Sequence, residues 1–303
     1  MPESKLSTLE AVVARFISDG SEIVMGTCLE SMIPFAVGHE IIRQQKRELT
    51  LVGPISDILF DQLIGAGCVR RLRCAWTGNV ITGSGYNFRR AAEAGRIAVE
   101  DHSNMTLAMA LKAGAMGIPF LPTYTALGSD LPATNPSLGT VVCPFSGKRL
   151  TAVAAITPDL AIIHVQRADE FGNTHLWGNL GVTRDACLAS RNVVVTAEEI
   201  VPSRVITADP NRVVTPGFRV KAVAAVPWGA HPSPVPGCYN RDHQAFLEYR
   251  QQSRSPEAFE TWRRQWILAA TDRAAYTRLV GESRLASLRL HHSALSETVD
   301  YGY

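Results

Sequence analysis

The sequence predicts an α/β fold with a mainly parallel open sheet, flanking helices and a C-terminal helical arm. Short apolar strand runs alternate with helical stretches along most of the chain, which is typical of parallel sheets. Glycines follow several of the helical stretches and predict where they end, as at Gly67, Gly95 and Gly117. The 303 residues show no repeat and no low-complexity linker, so we predict an α/β domain over 1–240 and a helical extension over 241–303.

The first predicted helix covers residues 7–18, because its apolar side chains recur at helical spacing on one face. Apolar runs bounded by turn residues then predict the strands, and amphipathic stretches between them predict further helices. The predicted strands are 22–25, 48–52, 69–75, 97–100, 160–166 and 192–196. The predicted helices are 34–45, 55–66, 87–94 and 104–116.

Two stretches depart from this alternation. Residues 119–149 are irregular and rich in Pro, Gly and Ser, and a connection of that length in a compact domain is often a binding loop. The glycines and prolines of 117–131 would suit a loop around an acyl or pantetheine chain. From Arg241 onward the chain is polar and helical with aromatic anchors, which predicts a peripheral arm that covers the core or reaches a partner subunit.

Composition excludes several classes of protein. Hydrophobic content is 46% and charged content 19%, which indicates a globular chain, and the net charge of +2 favours neither nucleic acid nor a membrane surface as partner. No apolar stretch is long enough to span a membrane, and the N-terminus lacks a signal-peptide pattern. The six cysteines show no CxxC pairing, so we expect no metal site and reduced thiols in a cytoplasm.

A glycine turn after the first strand is the first candidate site. In open α/β sheets ligands bind at the carboxyl ends of the strands. Gly26 would let the backbone approach a ligand, and free N–H groups around Gly26 and Thr27 could face developing negative charge. On spacing alone an ordinary strand-to-helix loop with a glycine is the favoured interpretation of the segment, and the GxxxxGK[ST] phosphate loop is absent.

The segment after the third strand carries several hydrogen-bonding groups. Gly78, Asn79 and Ser84 could contact a phosphate or carboxylate, although the GxGxxG spacing is absent. Arg89 and its neighbour Arg90 could pair with a substrate acid, or with acidic side chains of the chain itself on the surface.

A run of polar residues ends the fourth predicted strand. Glu100 is the catalytic candidate, because a carboxylate at a strand end can position substrate or transfer a proton. His102 could share that acid–base role. Asn104 could bind substrate, whereas a helix N-cap is the structural alternative for Ser103 or Asn104. His164, inside an apolar strand, is expected to be a hydrogen-bonded core histidine.

Taken in order, these segments resemble the α subunits of the CoA-transferases, in the glutaconate and 3-oxoacid CoA-transferase-like group. The resemblance covers about residues 19–249. The matching segments are Asp19-Gly20, Ile23 to Gly26, Pro34, Asn87 to Ala91, Glu100 to Asn104, Ala113 to Thr123, Leu127 to Leu131, Pro158 to Val165, Ala168 to Asn173, Val195 to Val201 and Gly229 to Ser233.

The resemblance implies a reaction and a partner. In such enzymes a glutamate attacks an acyl-CoA thioester, an acyl-glutamyl anhydride and then a glutamyl-CoA thioester form, and an acceptor carboxylic acid takes the CoA. The glutamate lies in a Glu-x-Gly sequence of a β-type subunit; here Glu93-Ala94-Gly95 is expected to be a helix end. This chain would supply backbone donors and pocket residues at the interface with that subunit, with CoA as a substrate and no bound cofactor. Thr27 stands where the family often has a second glycine.

Two alternatives follow from the same residues. The first is a hydrolase: some relatives in steroid-ring degradation hydrolyse a ring carbon–carbon bond of a CoA thioester. They use a carboxylate of the α-type subunit near the position of the segment Glu100 to Asn104. Glu100 and Asp101 keep this alternative open here. The other is a non-catalytic α/β binding protein that retains the fold.

Overall fold

A large parallel sheet dominates the molecule. The computed structural model describes residues 3–290. The strands are β1 Glu22–Val24, β2 Leu49–Ile55, β3 Val69–Trp76, β4 Gly78–Asn79, β5 Gly83–Ser84, β6 Ala98–Asp101, β7 Phe120–Thr123, β8 Leu138–Val142, β9 Arg149–Ala154, β10 Leu160–Ala168, β11 Thr174–His175, β12 Asn192–Ile200 and β13 Val220–Ala225. Seven of them form the sheet in the order β13-β12-β10-β1-β2-β3-β6, all parallel, and β11 pairs antiparallel with β10.

Helices cover both faces of this sheet. They are α1 Leu9–Phe16, α2 Phe35–Arg43, α3 Leu59–Gly65, α4 Tyr86–Glu93, α5 Asn104–Met116, α6 Leu131–Thr134, α7 Thr183–Ala189, α8 Ser203–Thr207, α9 His243–Gln252, α10 Pro256–Arg263, α11 Arg273–Val280 and α12 Glu282–Leu288. One apolar cluster joins one sheet face to α1–α3, α9 and α10, and a second joins the other face to α5 and α7.

The sequence of β10 shows why the central strands of the sheet are apolar throughout. Leu160 and Ile162 enter the first cluster, whereas Ala161 and Ile163 enter the second. Because successive side chains of a strand point to opposite faces, a strand covered on both sides needs a continuous apolar run rather than an alternating one.

The strand order reverses beside β1. From β1 the chain proceeds to β2, β3 and β6 on one side, then returns to β10 on the other side of β1 and continues to β12 and β13. In open α/β sheets a crevice forms outside the carboxyl ends of the strands at such a reversal. The loop after β1 therefore stands at the position where this fold class binds ligands.

The prediction of an irregular segment over 119–149 was wrong in part. This stretch contains β7, α6 and β8, and with β9 it forms a three-stranded antiparallel sheet in the order β7-β9-β8. Pro122 lies in β7, which is an edge strand. Proline has no N–H to donate, and an edge strand tolerates it because the N–H groups on its outer side have no partner strand. The prolines therefore obscured a strand without preventing one.

Other boundaries also differ from the sequence prediction. The helix expected from residue 55 begins at Leu59, because β2 continues to Ile55 and Asp57 adopts φ 48°. The sequence pattern provided no separate signal for β13 or for α7.

The C-terminal helices pack on the core. Phe246, Tyr249, Phe259 and Trp262 enter the same apolar cluster as α1–α3, so the arm covers one face of the domain. The domain boundary at residue 240 stays a prediction, and residues 291–303 of the predicted extension lie outside the described part of the chain. Among residues 3–290 no helix is long and apolar enough to cross a membrane.

Candidate functional site

Gly26 stands where the loops after β1 and β2 touch. Its φ is 68°, and a side-chain carbon at this position would overlap the Ser56 hydroxyl oxygen. Ser56 in turn donates a hydrogen bond of 3.2 Å from Oγ to the Met25 carbonyl. Glycine is required here for both backbone conformation and close approach, so the two strand-end loops fit directly against each other.

Thr27 is engaged within the chain. Its side chain is buried, its Oγ1 lies 2.7 Å from Thr183 Oγ1, and its carbonyl accepts a 2.9 Å bond from Val182 N. Cys28 is also buried beside Thr183, and burial raises the pKa of its thiol to about 11, so it is uncharged at neutral pH. In the isolated chain the Gly26-Thr27-Cys28 turn is therefore covered by the segment that leads into α7.

The crest of the same loop is more open. Leu29 and Glu30 are half-buried, and Leu29 has φ 60° although it is not glycine. The crest is fixed from below because Ser233 Oγ donates a 2.6 Å bond to the Glu30 carbonyl and Met32 N donates a 2.9 Å bond to the Pro234 carbonyl. The segment Gly229 to Ser233 thus supports the loop after β1. The sequence alone had indicated no role for it.

The second predicted segment forms a small hairpin of β4 and β5. Asn79 is fully buried, and its Oδ1 accepts bonds from the N–H groups of Ile81 and Thr82 at 2.9 and 3.1 Å. Its Nδ2 donates to Asp57 Oδ1 at 3.0 Å. Gly78 has φ 150° and lies against the Gly83–Ser84 backbone. Gly78 and Asn79 therefore shape the hairpin, and Asn79 joins it to the loop after β2.

The hairpin presents apolar side chains at its exposed end. Val80 and Ile81, between β4 and β5, have exposed fractions of 48% and 44%, and Trp76 at the end of β3 has one of 40%. Ser84 is half-buried, and its carbonyl accepts a 2.7 Å bond from Arg250 of α9. Apolar side chains exposed in such a group are typical of surfaces that another molecule covers.

The two arginines of α4 have different surroundings. Arg89 is exposed, whereas Arg90 donates bonds of 2.7 and 3.0 Å to the carbonyls of Arg254 and Ser253 and so anchors the C-terminal arm. The expected helix end at Glu93-Ala94-Gly95 is confirmed, since α4 ends at Glu93 and Gly95 has φ 62°.

Glu100 lies inside the main sheet. Its side chain is 7% exposed, with Arg71 at 3.0 Å, Arg73 at 2.9 Å and the Ser137 hydroxyl donating to it at 3.1 Å. Arg73 also pairs with Glu22 at 3.1 Å. We call these five residues the strand-face cluster. Two guanidinium groups stabilise the ionised carboxylate, which connects β6, β3 and β1 across the sheet face.

The residues after Glu100 serve the start of α5. Ser103 is the N-cap and forms a capping box with Thr106, which confirms the structural alternative for Ser103, while Asn104 is exposed at the first helical position. His102 is buried with Nδ1 3.2 Å from Thr106 Oγ1. Burial lowers the pKa of His102 to about 4, so the ring is neutral at pH 7.

Sequence reasoning missed a buried ionic group at the strand ends. Arg241 has a fully buried side chain, with Nη2 2.6 Å from Asp57 Oδ2 and Nη1 2.8 Å from Glu30 Oε2. Burial raises the pKa of Asp57 to about 7, while Arg241 and Asn79 act in the opposite direction. We call Glu30, Asp57, Asn79 and Arg241 the strand-end cluster. The available sequence signal was the polar pair Ser56-Asp57 directly after an apolar strand, which marks Asp57 of this cluster.

A further carboxylate, Glu198, lies in the second half of β12. It accepts bonds from His164 Nε2, Tyr239 OH and Trp228 N, each at 2.7 Å. His164 Nδ1 lies 2.9 Å from Thr196 Oγ1, which confirms that His164 is a hydrogen-bonded core residue. Three donors within the chain satisfy this carboxylate and hold it in place.

The strand ends thus bring together some predicted residues and separate others. Gly26, Thr27, Gly78 and Asn79 belong to neighbouring loops at the carboxyl ends of β1 and β3, whereas Glu100 is held on the sheet face and Arg89 and Asn104 lie on the surface. Within residues 3–290 no group of three or more His, Cys, Asp or Glu side chains is arranged to hold a metal ion.

Comparison with known proteins gives one consistent family. The family model described as Coenzyme A transferase matches residues 6–225. The α-type subunit of 3-oxoadipate CoA-transferase from Pseudomonas knackmussii is 39% identical over 284 residues, covering 93% of this chain and 100% of the relative.

A solved structure extends the match to the fold. The chain is similar to glutaconate coenzyme A-transferase from Acidaminococcus fermentans, with a TM-score of 0.89 and 31% identity over 95% of this chain and 96% of that one. That similarity confirms the predicted parallel α/β architecture. One component of the cholesterol ring-cleaving hydrolase of Rhodococcus jostii is 29% identical over 79% of this chain and 84% of the relative.

Proposed function

Because this chain belongs to the coenzyme A transferase family and is the α-type subunit of such an enzyme, we propose that its strand-end loops form half of a shared active site. The half-site consists of the loop after β1 and the β4–β5 hairpin, and a β-type subunit completes it. One observation carries the proposal: at the carboxyl ends of β1 to β3, buried contacts fix both loops and leave an open crest and an apolar tip. Ligands of open α/β sheets bind at this edge.

The chemistry proposed for the pair is CoA transfer through the partner's glutamate. The glutamate carboxylate attacks the thioester carbonyl and expels CoA thiolate, which leaves an acyl-glutamyl anhydride. The thiolate attacks the glutamyl carbonyl, forms glutamyl-CoA and releases the first carboxylic acid. An acceptor carboxylate then attacks glutamyl-CoA, and the thiolate expelled from it takes the new acyl group and frees the glutamate. Each tetrahedral step develops an oxyanion.

This chain contributes binding and positioning. We place the backbone N–H groups that face the oxyanion at the crest of the loop after β1, around Leu29, because Thr27 is covered by Thr183. Gly26 and Gly78 allow the close backbone approach. Ser84 and the exposed Arg89 stay proposed contacts for the CoA phosphates or a substrate carboxylate, and Asn79 shapes the hairpin from below. His102 stays a proposed binding residue, with its buried ring held against Thr106 of α5.

The proposed substrates are a dicarboxylic acid and its CoA thioester. The names of the two transferase relatives contain 3-oxoadipate and glutaconate, which are both dicarboxylic acids. Coenzyme A enters as a substrate, with no further cofactor. The six cysteines are all free, which is consistent with the reducing cytoplasm in which we propose that the enzyme acts.

Co-expression with the β-type chain tests this function. The purified pair should move CoA from succinyl-CoA to 3-oxoadipate or glutaconate, and either chain alone should be inactive. Hydroxylamine or borohydride added with the acyl-CoA should trap the partner's glutamate. A pair that transfers no CoA to either acid and yields no trapped glutamate contradicts the proposal.

The ring-opening hydrolase is the competing function, and its relative is the less similar one. The Glu100→Ala variant separates the two functions. Activity lost in Glu100→Ala with the partner's glutamate dispensable indicates hydrolysis. Transfer retained by the folded Glu100→Ala pair supports the transferase, since Glu100 then serves the sheet rather than the reaction.

A further inference from the structure

We infer that Arg241 is a positioning residue for the active-site edge, which it controls by fixing the loops after β1 and β2 relative to each other. The inference rests on the proposed function, because it gives that site its support. Arg241 lies beyond residues 6–225, the part of the chain that the family model matches. A residue of the C-terminal region therefore reaches back to the strand ends.

The geometry of the contacts carries the inference. One nitrogen of the guanidinium group holds Glu30 of the first loop at 2.8 Å, and another holds Asp57 of the second loop at 2.6 Å. Asp57 also accepts from Asn79 of the hairpin at 3.0 Å. Arg241 thus connects the loops that follow β1, β2 and β3 through one buried group.

Arginine suits this task for a specific reason. Its planar fork presents several N–H donors in fixed directions, so one side chain can hold two carboxylates in a defined arrangement. A lysine ammonium is a compact charge on a flexible stem and fixes such an arrangement less well. The Phe246 ring lies 4.2 Å from the guanidinium carbon and keeps the group in place.

The backbone of both loops gives an independent observation. Leu29 in the first loop and Asp57 in the second have φ values of 60° and 48°. Non-glycine residues adopt this region at a cost and persist there only where the surroundings hold them. Leu29 precedes Glu30, and Asp57 is itself the second carboxylate that Arg241 binds, so the bound guanidinium supports a conformation that the loops do not favour by themselves.

Arg284 supplies a matched control, because it binds Asp242, the residue next to Arg241. Asp242 pairs with Arg284 at 2.7 Å, and Arg284 also pairs with Glu248, so these contacts stay within the C-terminal arm. Arg284→Lys therefore weakens a partly buried arginine pair at the same junction without touching the strand-end loops. Any loss of activity that comes only from a loosened arm should appear in this variant too.

The test measures the wild-type α/β pair, Arg241→Lys and Arg284→Lys in single turnover with succinyl-CoA and the acid that the wild type uses. With enzyme in excess, the rate constant reports the competent sites and is not lowered by an unfolded fraction. We expect Arg241→Lys to slow the chemical step at least about tenfold, because small misplacements of reacting groups are costly. The KM for succinyl-CoA should change less than about threefold, and Arg284→Lys should keep the wild-type rate constant.

Glu30→Gln keeps the inference testable if Arg241→Lys does not fold. It removes the charge from one half of the contact and should slow the same step several-fold. Wild-type rate constants in folded Arg241→Lys or Glu30→Gln overturn the inference, as does an equal loss in Arg284→Lys. A wild-type pair that transfers no CoA overturns the proposed function instead.

Discussion

Two groups of ion pairs in this molecule, one partly buried and one buried, use the same chemistry for different ends. In the strand-face cluster Arg73 joins Glu22 and Glu100, and in the strand-end cluster Arg241 joins Glu30 and Asp57. The first connects neighbouring strands within the sheet, whereas the second connects the loops that follow the strands. The difference teaches that the placement of an arginine, rather than the type of ion pair it forms, decides whether it supports the fold or the site.

The largest effect on folding is expected from Arg73→Met. The substitution leaves the carboxylate of Glu100, which is 7% exposed, with the more exposed Arg71 and the Ser137 hydroxyl, and removing one partner of a buried charge costs about 3 kcal/mol or more. Urea unfolding measures the loss. Arg70→Met in the same strand is the control, because Arg70 is 57% exposed and should cost less than about 1 kcal/mol. Equal losses in the two variants would show that the strand-face cluster does not stabilise the sheet.

Gly26→Ala should cost about 3 kcal/mol. The φ of 68° and the overlap with Ser56 both oppose a side-chain carbon. Gly95→Ala is the matched control, since Gly95 has φ 62° and nothing within 4 Å of the added carbon, and it should cost about 1 kcal/mol. If both glycine variants unfold at the same denaturant concentration, the two loops are not in close contact.

Protonation of His102 in the unfolded chain should lower the free energy of unfolding at acid pH. Its folded pKa of about 4 lies below its unfolded value near 6.5, so the unfolded chain binds more protons between these values. Stability from His102 is present above pH 6.5 and falls as the pH drops toward 4, by about 2 kcal/mol at pH 4.5. The wild type should therefore lose about 2 kcal/mol more than His102→Gln between pH 7 and 4.5. Parallel losses would contradict the burial of a neutral ring.

The smallest effect on folding is expected at the hairpin tip. Val80→Ser and Ile81→Ser replace side chains that are 48% and 44% exposed, so the free energy of unfolding should change by less than about 0.5 kcal/mol. Association with the β-type subunit should nevertheless weaken, because the exposed apolar tip would lose contact area. Leu279→Ser in α11, at 45% exposure, is the control. An unchanged dissociation constant for the tip variants would place the partner elsewhere.

Local sequence signals predicted a turn and a helix cap close to the two clusters. A glycine after an apolar run predicted the turn at Gly26, and Ser103 before an apolar helix predicted its cap. The partners could not be predicted, because Arg241 is 184 residues from Asp57 and only the tertiary fold brings them together. Glu100 looked catalytic for the same reason, since Arg71 and Arg73 in the adjacent strand face it only when β3 and β6 pair.

The measurement that tests the comparison most directly is the single-turnover rate constant of two matched variants of the α/β pair, Arg241→Lys and Arg73→Lys, with the thermal unfolding midpoint of each. Both substitutions retain the charge and lose the planar fork. We predict that Arg241→Lys slows the chemical step at least about tenfold, whereas Arg73→Lys lowers the unfolding midpoint and keeps the rate constant within about threefold of the wild type. A slow Arg73→Lys beside a fully active Arg241→Lys would contradict the assignment of the two clusters.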